Sequence, residues 1–449
     1  MESKLIKRFG LFTAIAMVIG IVIGSGVFFK AEKILKLTGG SLPTGIFAWA
    51  IGGAIMIVCA YAFAILATRY EKVNGLVDYA EASIGPIYGY FVGWFMATIY
   101  YPAMTSVLAW ASARYFSVLM GWDITGGNCL VLAGFFMVAI YAINALSPTL
   151  AGRFQVSTTA IKLIPLILMA LVGTIVGFSS GMTVENFTTK VGVATAEHPL
   201  LSAVVASAFA YEGWIIATSI NAELKDAKKN LPRALVLGTM VVAAIYILYS
   251  IGLSGGVTNE ELMKSGEAGA KLAFSTVFGK FAGTGLMVLV VISCLGTLNG
   301  LMLGCTRGFY SLAARDMGPY PKMFRQVDPV TNMPSNSATI GLLVTSAWLV
   351  YFYGANLTEP WFGKFSFDSS ELPIVTIYAL YLPILAMMMV KEKDLSPFKR
   401  FVAPILAMIG SLFMVFAAIY AFKMTVVYYL IVFAVIMLLG AIPLYLKKK

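Results

Sequence analysis

The sequence predicts an all-α membrane protein with about twelve transmembrane helices. Of its 449 residues, 59% are hydrophobic and only 12% are charged, and the mean hydropathy is +0.86. Soluble domains carry roughly 25% charged residues. Apolar runs of about 20 residues, the length that crosses a hydrocarbon core of roughly 30 Å, recur along the whole chain. A single cleaved leader does not explain this composition, so we interpret the first apolar run as a retained span.

The apolar segments predict six spans before a central polar loop and six after it. They lie near residues 11–29, 44–68, 86–120, 129–147, 155–178 and 199–221, and then near 234–253, 272–312, 336–353, 371–390, 401–422 and 425–446. The third and eighth segments are longer than a bilayer needs, which predicts strong tilt or ends that project from the membrane. Residues 1–10 are predicted to form a short cytoplasmic N-terminus.

The basic residues predict the orientation. Twelve spans place both termini on one side, and loops on that side would hold about twice as many Lys and Arg residues as the opposite loops, in the sense of the positive-inside rule. Lys30 falls among the predicted outer residues. We therefore expect a multi-pass protein of the cell membrane with cytoplasmic N- and C-termini. The net charge of +11 lies in short patches between apolar runs, so nucleic acid is not an expected partner.

The potential catalytic and metal-binding residues are too scattered to predict an enzyme. His198 is the single histidine, and the four cysteines are dispersed without a C-x-x-C spacing. A membrane-embedded enzyme needs a convergent nucleophile, base or metal ligand set, and a channel is expected to repeat a filter element by symmetry. Neither pattern is present in the sequence. We expect no catalytic residues, no metal site and no cofactor.

Glycines interrupt the first predicted span past its middle, at Gly24-Ser25-Gly26. In hydrocarbon, backbone amides and carbonyls must be satisfied internally, so such a break is tolerated only beside protein or a water-filled cavity. The alternative interpretation is close helix packing, because Gly20 and Gly24 form a G-x-x-x-G pair.

A second interruption lies in the sixth predicted span, at residues 209–214 (Phe-Ala-Tyr-Glu-Gly-Trp). An ionisable carboxyl, Glu212, stands there next to glycine near the middle of the segment. An acidic group at that depth is costly and normally faces a cavity or a partner. The alternative role for Glu212 is that of a buried structural hydrogen-bonding group.

The two interruptions occupy corresponding places if residues 11–178 and 199–390 form an inverted repeat of five helices each, followed by two further helices at 401–446. Five is an odd number, so the two halves would have opposite topology. Matching interruptions in two such halves are the best sequence pointer to a midplane substrate site in a transporter.

The backbone groups at these interruptions suit a zwitterion. Amides at the start of a half-helix, at Ser25, Gly26 and Val27, suit a carboxylate. Carbonyls that a broken helix leaves without partners suit an ammonium, and they are expected near the three residues Ile21, Phe209 and Ala210. Together these groups would bind the backbone of an amino acid.

Lys162 is a second intramembrane charge, about one third into the fifth predicted span. Its functional interpretation is that the ammonium reaches the backbone carbonyls of the broken first helix, where a cation would otherwise be needed. The alternative is that the side chain snorkels to the membrane interface.

Four stretches, in this order and spacing, carry a resemblance to a known family. They are residues 23–28 (Ile-Gly-Ser-Gly-Val-Phe), 209–214, 223–234 and 295–300 (Leu-Gly-Thr-Leu-Asn-Gly), the last followed by Arg307 and by Ala-Arg-Asp at 314–316. The chain resembles the amino acid, polyamine and organocation (APC) transporter superfamily. The resemblance is greatest to bacterial relatives of the L-type amino acid transporters, such as serine/threonine and alanine/serine/cysteine exchangers, and it covers nearly the whole chain.

The resemblance implies the LeuT-type fold of five plus five inverted helices with helices one and six broken, two extra C-terminal helices, and alternating access. It implies that the substrate carboxylate falls on Ser25, Gly26 and Val27 and the amine on Phe209 and Ala210. The full predicted substrate site comprises Ile21, Gly24, Ser25, Gly26, Val27, Phe209, Ala210, Glu212 and Tyr246.

In that set Tyr246 matches a seventh-helix tyrosine that lines the site in close relatives. Glu212 occupies a position where Gly or Asp is also common, which leaves its role open. The resemblance also implies that the ammonium of Lys162 substitutes for the sodium ion of sodium-coupled relatives. Ser293 and Thr297, on the eighth helix, are candidates to reach toward it.

The expected function is secondary active transport of small neutral L-amino acids, independent of sodium, by exchange or by proton coupling. The alternative is a polyamine or cationic amino-acid transporter of the same fold, in which Glu212 would pair with the positive group of the substrate. The charge of Lys162 makes that alternative less favourable. The expected partners are the amino acid and the lipid bilayer, and an obligate protein partner is not evident from the sequence.

Overall fold

The computed structural model describes residues 10–24, 26–70, 75–189, 191–192, 194–218, 224–331 and 333–447. Short π-helical stretches at Met96–Tyr100 and Met169–Gly173 join neighbouring α-helices, and another at Phe398–Val402 leads into an α-helix. The α-helices in the described ranges are α1 (Leu11–Val22), α2 (Gly26–Leu37), α3 (Leu42–Arg69), α4 (Leu76–Ser83), α5 (Pro86–Phe95), α6 (Tyr101–Met120), α7 (Gly127–Leu146), α8 (Pro148–Leu168), α9 (Thr174–Ser180), α10 (Met182–Thr188), α11 (Pro199–Tyr211), α12 (Trp214–Ala217), α13 (Ala227–Gly256), α14 (Asn259–Ser265), α15 (Glu267–Phe278), α16 (Lys280–Ala313), α17 (Pro321–Phe324), α18 (Ser335–Ala355), α19 (Leu372–Lys391), α20 (Ala403–Phe422) and α21 (Met424–Lys447).

The helices agree with the predicted number of spans. Within the described ranges, 11 helical stretches are long and apolar enough to cross a membrane, and α1 and α2 form a further bent pair with an angle of 45°. Large apolar side chains point outwards, as at Val131 in α7, which is 72% exposed, and Leu438 in α21, which is 68% exposed. Such apolar outer faces are what a lipid-facing surface requires. The prediction of an all-α membrane protein with about twelve spans is confirmed.

Two predicted segment boundaries are wrong. The first span does not end near residue 29, because α2 continues to Leu37 through good helix formers and an i,i+4 pair of Glu32 and Lys36 at 3.8 Å. The segment at 272–312 is not one helix, because Gly279 adopts a φ of +82°, a left-handed conformation that favours glycine. Helix α15 ends before Gly279 and α16 begins after it.

The chain divides into two compact units that are each discontinuous in sequence. Unit 1 comprises Met1–Gly89, Met169–Gly255 and Ile374–Ala421, and unit 2 comprises Tyr90–Leu168, Gly256–Pro373 and Phe422–Lys449. Each of the two predicted five-helix repeats contributes helices to both units. The inverted symmetry between the repeats stays a prediction.

Unit 1 packs its helices closely at small residues. A Cβ added to Gly252 of α13 would lie 2.0 Å from the carbonyl oxygen of Met169, and one added to Gly52 of α3 would overlap Ser207 of α11 at 2.2 Å. Tight approach at small residues is the usual way that membrane helices associate. This packing holds α3 against α11, which carries one of the two predicted breaks.

Unit 2 is organised around α16, which packs against α6, α8 and α18. A buried amide network crosses these helices, in which Asn144 of α7 donates to Asn299 of α16 at 2.8 Å, and Asn299 donates to Gln155 of α8 at 2.9 Å. The Trp348 indole of α18 donates to the carbonyl of Thr98 at 2.9 Å. These bonds set the register of α8 on α16.

An ion pair in unit 2 gives a stability prediction. The Arg114 guanidinium lies 2.6 Å from Glu267, whose side chain is only 3% exposed, whereas that of Arg114 is 24% exposed. We expect Glu267→Gln to lower the melting temperature of the purified protein, because it leaves the arginine partly buried without its counter-ion. Breaking a fully buried pair costs about 3–5 kcal/mol, and the partial exposure of Arg114 reduces this to about 1–3 kcal/mol.

The matched control is Glu260→Gln. Glu260 pairs with Lys264 at 2.5 Å on an exposed helix surface, where ion pairs contribute little. Thermal unfolding followed by tryptophan fluorescence in detergent compares the two variants. Equal melting temperatures for Glu267→Gln and Glu260→Gln would contradict the prediction.

Candidate functional site

The first span is broken between α1 and α2. Helix α1 ends at Val22, and Ile23 is extended with a ψ of 106°. Helix α2 restarts at Gly26, and the two helices differ in direction by 45°. The predicted substrate residue Ser25 lies outside the described residues. The interruption predicted at the Gly-Ser-Gly sequence is therefore present as a bend in the helix axis.

The sixth span is broken between α11 and α12. Helix α11 ends at Tyr211, and Glu212 is extended with a ψ of 158°. Gly213 has a φ of +106°, which is rarely open to residues with a side chain, and α12 restarts at Trp214. The glycine explains why the chain can change direction at this point.

The two breaks lie side by side within unit 1. A Cβ added to Gly26 would lie 2.6 Å from the Cα of Ala210, so the start of α2 touches the end of α11 backbone to backbone. A Cβ added to Gly213 would lie 3.2 Å from the carbonyl oxygen of Ile21, at the end of α1. Each broken helix thus approaches the other through a glycine, with no room for a Cβ at Gly26 and only a tight fit at Gly213.

Tyr246 of α13 bridges the two breaks. Its hydroxyl is 3.1 Å from the carbonyl of Ala210 and 3.4 Å from the carbonyl of Val22, and the side chain is fully buried. The ring stacks on Tyr211 with centroids 5.2 Å apart, and the Tyr211 hydroxyl donates to the carbonyl of Trp49 at 2.8 Å. The aromatic cluster holds the two helix ends in place from the side of α3 and α13.

The backbone ends at the breaks carry opposite partial charges. The first amides of α2, at Gly26, Val27 and Phe28, have no partner within their own helix, and the last carbonyls of α11 are likewise without partners inside α11. Such ends behave as roughly +0.5 and −0.5 charges. Phe209 and Ala210, at the end of α11, are 8% and 1% exposed. The geometry thus sets amide donors beside carbonyl acceptors at one place in the unit.

Lys30 is a charged residue near the breaks that the sequence interpretation misplaced. It was expected outside the membrane, but it lies in α2, is fully buried, and places its Nζ 5.1 Å from the centroid of the Phe209 ring. The hydropathy pattern predicts that the first span ends near residue 29, because Lys and Glu residues follow it. The helical spacing of those residues after the glycine break is the feature that indicates a helix continuing through Lys30.

Glu212 is half-buried at the end of α11. Its carboxyl lies within electrostatic range of Cys59 of α3 and Tyr378 of α19. Within the described ranges no group of three or more His, Cys, Asp or Glu residues is arranged to hold a metal ion.

The predicted cation-site residues Lys162, Ser293 and Thr297 lie in unit 2. Lys162 is 3% exposed, Ser293 is fully buried, and the Thr297 hydroxyl donates to the carbonyl of Ser293 at 3.0 Å. On the neighbouring turns, Thr158 of α8 packs directly on Gly296 of α16.

The contacts between α8 and α16 show an antiparallel register. Thr158 meets Gly296, and Gln155 meets Asn299 one turn further along α16. One turn after Thr158 in the other direction, the register places Lys162 level with Ser293. The eight described substrate-site residues lie together in unit 1, and the three cation-site residues lie in unit 2.

Tyr246→Phe tests the bridging hydroxyl. We expect the substrate KM to rise about fivefold, because one hydrogen bond of about 1 kcal/mol that holds the Ala210 carbonyl is lost while the ring packing stays. Tyr141→Phe is the control, since the hydroxyl of Tyr141 makes only a long 3.4 Å contact with Thr339 at an exposed position. Initial uptake rates in proteoliposomes measure both, and an unchanged KM in Tyr246→Phe would argue against a role for this hydroxyl at the site.

Comparison with known proteins places these breaks in a family context. The model of the amino acid permease family matches residues 9–442. The serine/threonine exchanger SteT of Bacillus subtilis (strain 168) is 28% identical over 92% of this chain and 91% of its own length. The b(0,+)-type amino acid transporter 1 of Mus musculus is 25% identical over 88% of this chain and 83% of its own length. The large neutral amino acids transporter small subunit 2 of Homo sapiens is 27% identical over 76% of this chain and 64% of its own length.

These relatives are named as transporters and exchangers of amino acids and not as enzymes. The matched residues include both breaks, Tyr246 and Lys162. The expected resemblance to the amino acid, polyamine and organocation transporters is confirmed, and the chain belongs to the amino acid permease family.

Proposed function

We propose that this protein is a sodium-independent secondary transporter of small neutral L-amino acids, which works by alternating access and by exchange or proton coupling. We propose further that it lies in the cell membrane with both termini in the cytoplasm. Its fold would be the LeuT-type arrangement, with repeats at 11–178 and 199–390 and two additional helices at 401–446.

The contact between the two breaks is the observation that carries the proposal. The amides of Gly26 and Val27 would bind the substrate carboxylate, and the carbonyls of Ile21, Phe209 and Ala210 would bind its ammonium. A site made of backbone groups would bind the carboxylate and the ammonium that all amino acids share. Its affinity would depend little on the side chain of the substrate. The Tyr246 hydroxyl, which donates to the Ala210 carbonyl at 3.1 Å, would keep that acceptor oriented.

The name of the relative with 28% identity supports a small neutral substrate, because it describes an exchanger of serine and threonine, which are small and neutral.

Lys162 would take the place of a coupling sodium ion. Its side chain is 97% removed from solvent, and the register of α8 on α16 sets it level with the buried hydroxyl of Ser293. A fixed ammonium in a low-dielectric environment can supply the positive charge that a bound cation supplies elsewhere. Transport would then need no external sodium.

The alternative function within the family is transport of cationic amino acids or polyamines. The half-buried Glu212 at the end of α11 favours it, because a carboxylate beside the site would pair with a substrate cation.

Uptake by proteoliposomes tests the proposal. Vesicles containing the purified protein are loaded with unlabelled serine or with buffer and are given labelled serine, alanine, leucine, arginine or putrescine, with sodium or potassium outside and at several pH values. We expect uptake of serine and alanine without sodium. Stimulation by internal serine would indicate exchange, and uptake driven by an inward proton gradient would indicate proton coupling.

Empty vesicles and vesicles with heat-denatured protein are the controls. Preferred uptake of arginine or putrescine would replace the proposal by its alternative. Strict dependence on sodium would contradict the role given to Lys162, and the absence of transport for every substrate would contradict the proposal as a whole.

A further inference from the structure

A cavity of about 560 Å³ lies within unit 1, at one end of several spans and away from the two breaks. It is lined by the end of α3, the beginning of α13 and the segment between α19 and α20. The lining residues are Ile65, Thr68, Arg69, Tyr70, Lys228, Pro232, Glu392, Leu395 and Lys399. Three of these side chains are basic and one is acidic, so the cavity carries excess positive charge.

The single lining carboxylate is already occupied by other groups. Glu392, which is 5% exposed, forms a salt bridge with Arg69 and accepts a hydrogen bond from the Tyr70 hydroxyl at 2.6 Å. Arg69 is also bonded to Asp394, outside the cavity lining, and this bond holds the pKa of Asp394 below its usual range. The network fixes the Arg69 side chain at the rim.

The two lysines that line the cavity differ from Arg69 and Glu392 in their contacts. Lys228 and Lys399 are both exposed, and neither makes a hydrogen bond or salt bridge with another residue in the described part of the chain. Both residues line the same cavity from two different segments, and their ammonium groups are available to an anion. Each ammonium offers three donors and can form charge-assisted hydrogen bonds with phosphate oxygens.

The cavity lies at the ends of helices that are long and apolar enough to span a membrane, where a boundary between lipid and water is expected. Helix α3 ends at Arg69 and α19 ends at Lys391, and both qualify as spans. Ile65, Pro232 and Leu395 supply an apolar part of the wall. Close by, Phe398 and Phe401 are 53% and 42% exposed, as expected for aromatic residues at an interface.

We propose that this cavity binds the phosphate headgroup of an anionic phospholipid. Lys228 and Lys399 would bind the phosphate, and the apolar wall would contact the first carbons of an acyl chain. In the orientation proposed above, the lipid belongs to the cytoplasmic leaflet. Basic pockets at the ends of membrane helices are suited to such headgroups. The proposal does not depend on which substrate the protein transports.

Lipid titration followed by native mass spectrometry tests the proposal. The purified full chain in detergent is titrated with phosphatidylglycerol and, separately, with phosphatidylcholine, and the dissociation constant of the first bound lipid is measured. We expect phosphatidylglycerol to bind at least about tenfold more tightly. The double variant Lys228→Ala/Lys399→Ala should weaken the binding of phosphatidylglycerol about 25-fold, since each basic residue near an anionic lipid contributes about fivefold.

The matched control is Lys225→Ala/Lys393→Ala, which removes two exposed lysines from the same segments but outside the cavity lining. This variant should keep the wild-type dissociation constant. An equal loss in the control would show that general surface charge attracts the lipid, and equal affinity for the two lipids would show that the headgroup is not recognised. Either result would overturn the proposal.

Competition with inorganic phosphate distinguishes a lipid phosphate from a free phosphate as the ligand of the cavity. At millimolar concentration inorganic phosphate should not displace phosphatidylglycerol, because it cannot use the apolar wall. Displacement of the lipid by inorganic phosphate in the wild type, absent from Lys228→Ala/Lys399→Ala, would assign the cavity to soluble phosphate and overturn the lipid assignment.

Discussion

Gly26→Ala is expected to reduce amino-acid uptake by at least about tenfold while the protein still inserts into the membrane. The added Cβ would lie 2.6 Å from the Cα of Ala210, a backbone atom that cannot move without shifting α11. Overpacking of this kind costs about 1–3 kcal/mol, and 1.4 kcal/mol corresponds to a factor of ten. The shift would separate the amides of α2 from the carbonyls of α11, so the loss should appear in both KM and maximal rate.

Gly134→Ala in α7 is the matched control, because a Cβ there meets no atom within 4 Å. Uptake rates are compared at equal amounts of protein reconstituted, with size-exclusion profiles to show that both variants are folded. Wild-type uptake by Gly26→Ala would contradict the assignment of the substrate site to the contact between the breaks.

A second variant distinguishes a lost site from a lost fold. Gly213→Ala adds strain at a φ of +106° and brings a Cβ to 3.2 Å from the Ile21 carbonyl oxygen. It acts on the other side of the same contact, so it should also reduce uptake. If both variants remain folded at the temperature of the uptake assay, the loss lies in the site itself.

Lys162→Met is expected to reduce sodium-independent uptake by at least about tenfold, with a smaller effect on stability. Methionine keeps most of the apolar stem that packs in unit 2 and removes the ammonium. If this charge stands in for a coupling cation, the transport cycle loses it entirely in the variant. A replacement by arginine is not equivalent, because guanidinium differs in shape and does not deprotonate.

Lys280→Met serves as the control, since Lys280 begins α16 at an exposed position. Uptake is measured with sodium or potassium outside. Kinetics that are unchanged in Lys162→Met would favour the snorkelling interpretation, in which the lysine only anchors the helix at the membrane interface.

The local composition of the chain determined which segments are helices and where two of them are interrupted. Long apolar runs have few stable alternatives to a helix in hydrocarbon, because each backbone group must find its partner inside the segment. The sequence also indicates the breaks at Gly26 and Gly213, because a glycine next to polar or charged residues in mid-span contradicts the apolar pattern around it. Both breaks are present in the structure at the expected residues.

Hydropathy alone does not predict the ends of helices where the helical residues are polar. Lys30 was assigned to an outer loop, although the helix continues through it and buries it beside Phe209. Gly279 divides the segment predicted at 272–312, because its backbone conformation, and not its hydropathy, ends the helix. Hydropathy averaged over a window of residues detects neither a charged residue buried in a helix nor a helix end at a single glycine.

The sequence by itself therefore determined the membrane class, the approximate spans, both breaks and the family resemblance, since each depends on residues that are neighbours along the chain. Only the tertiary structure decided that Gly26 touches Ala210, that Tyr246 bonds to the carbonyl of Ala210, and that Lys228 and Lys399 line one cavity. These residues are far apart in the chain. Their proximity follows from how the helices pack, which small residues permit but a one-dimensional pattern does not specify.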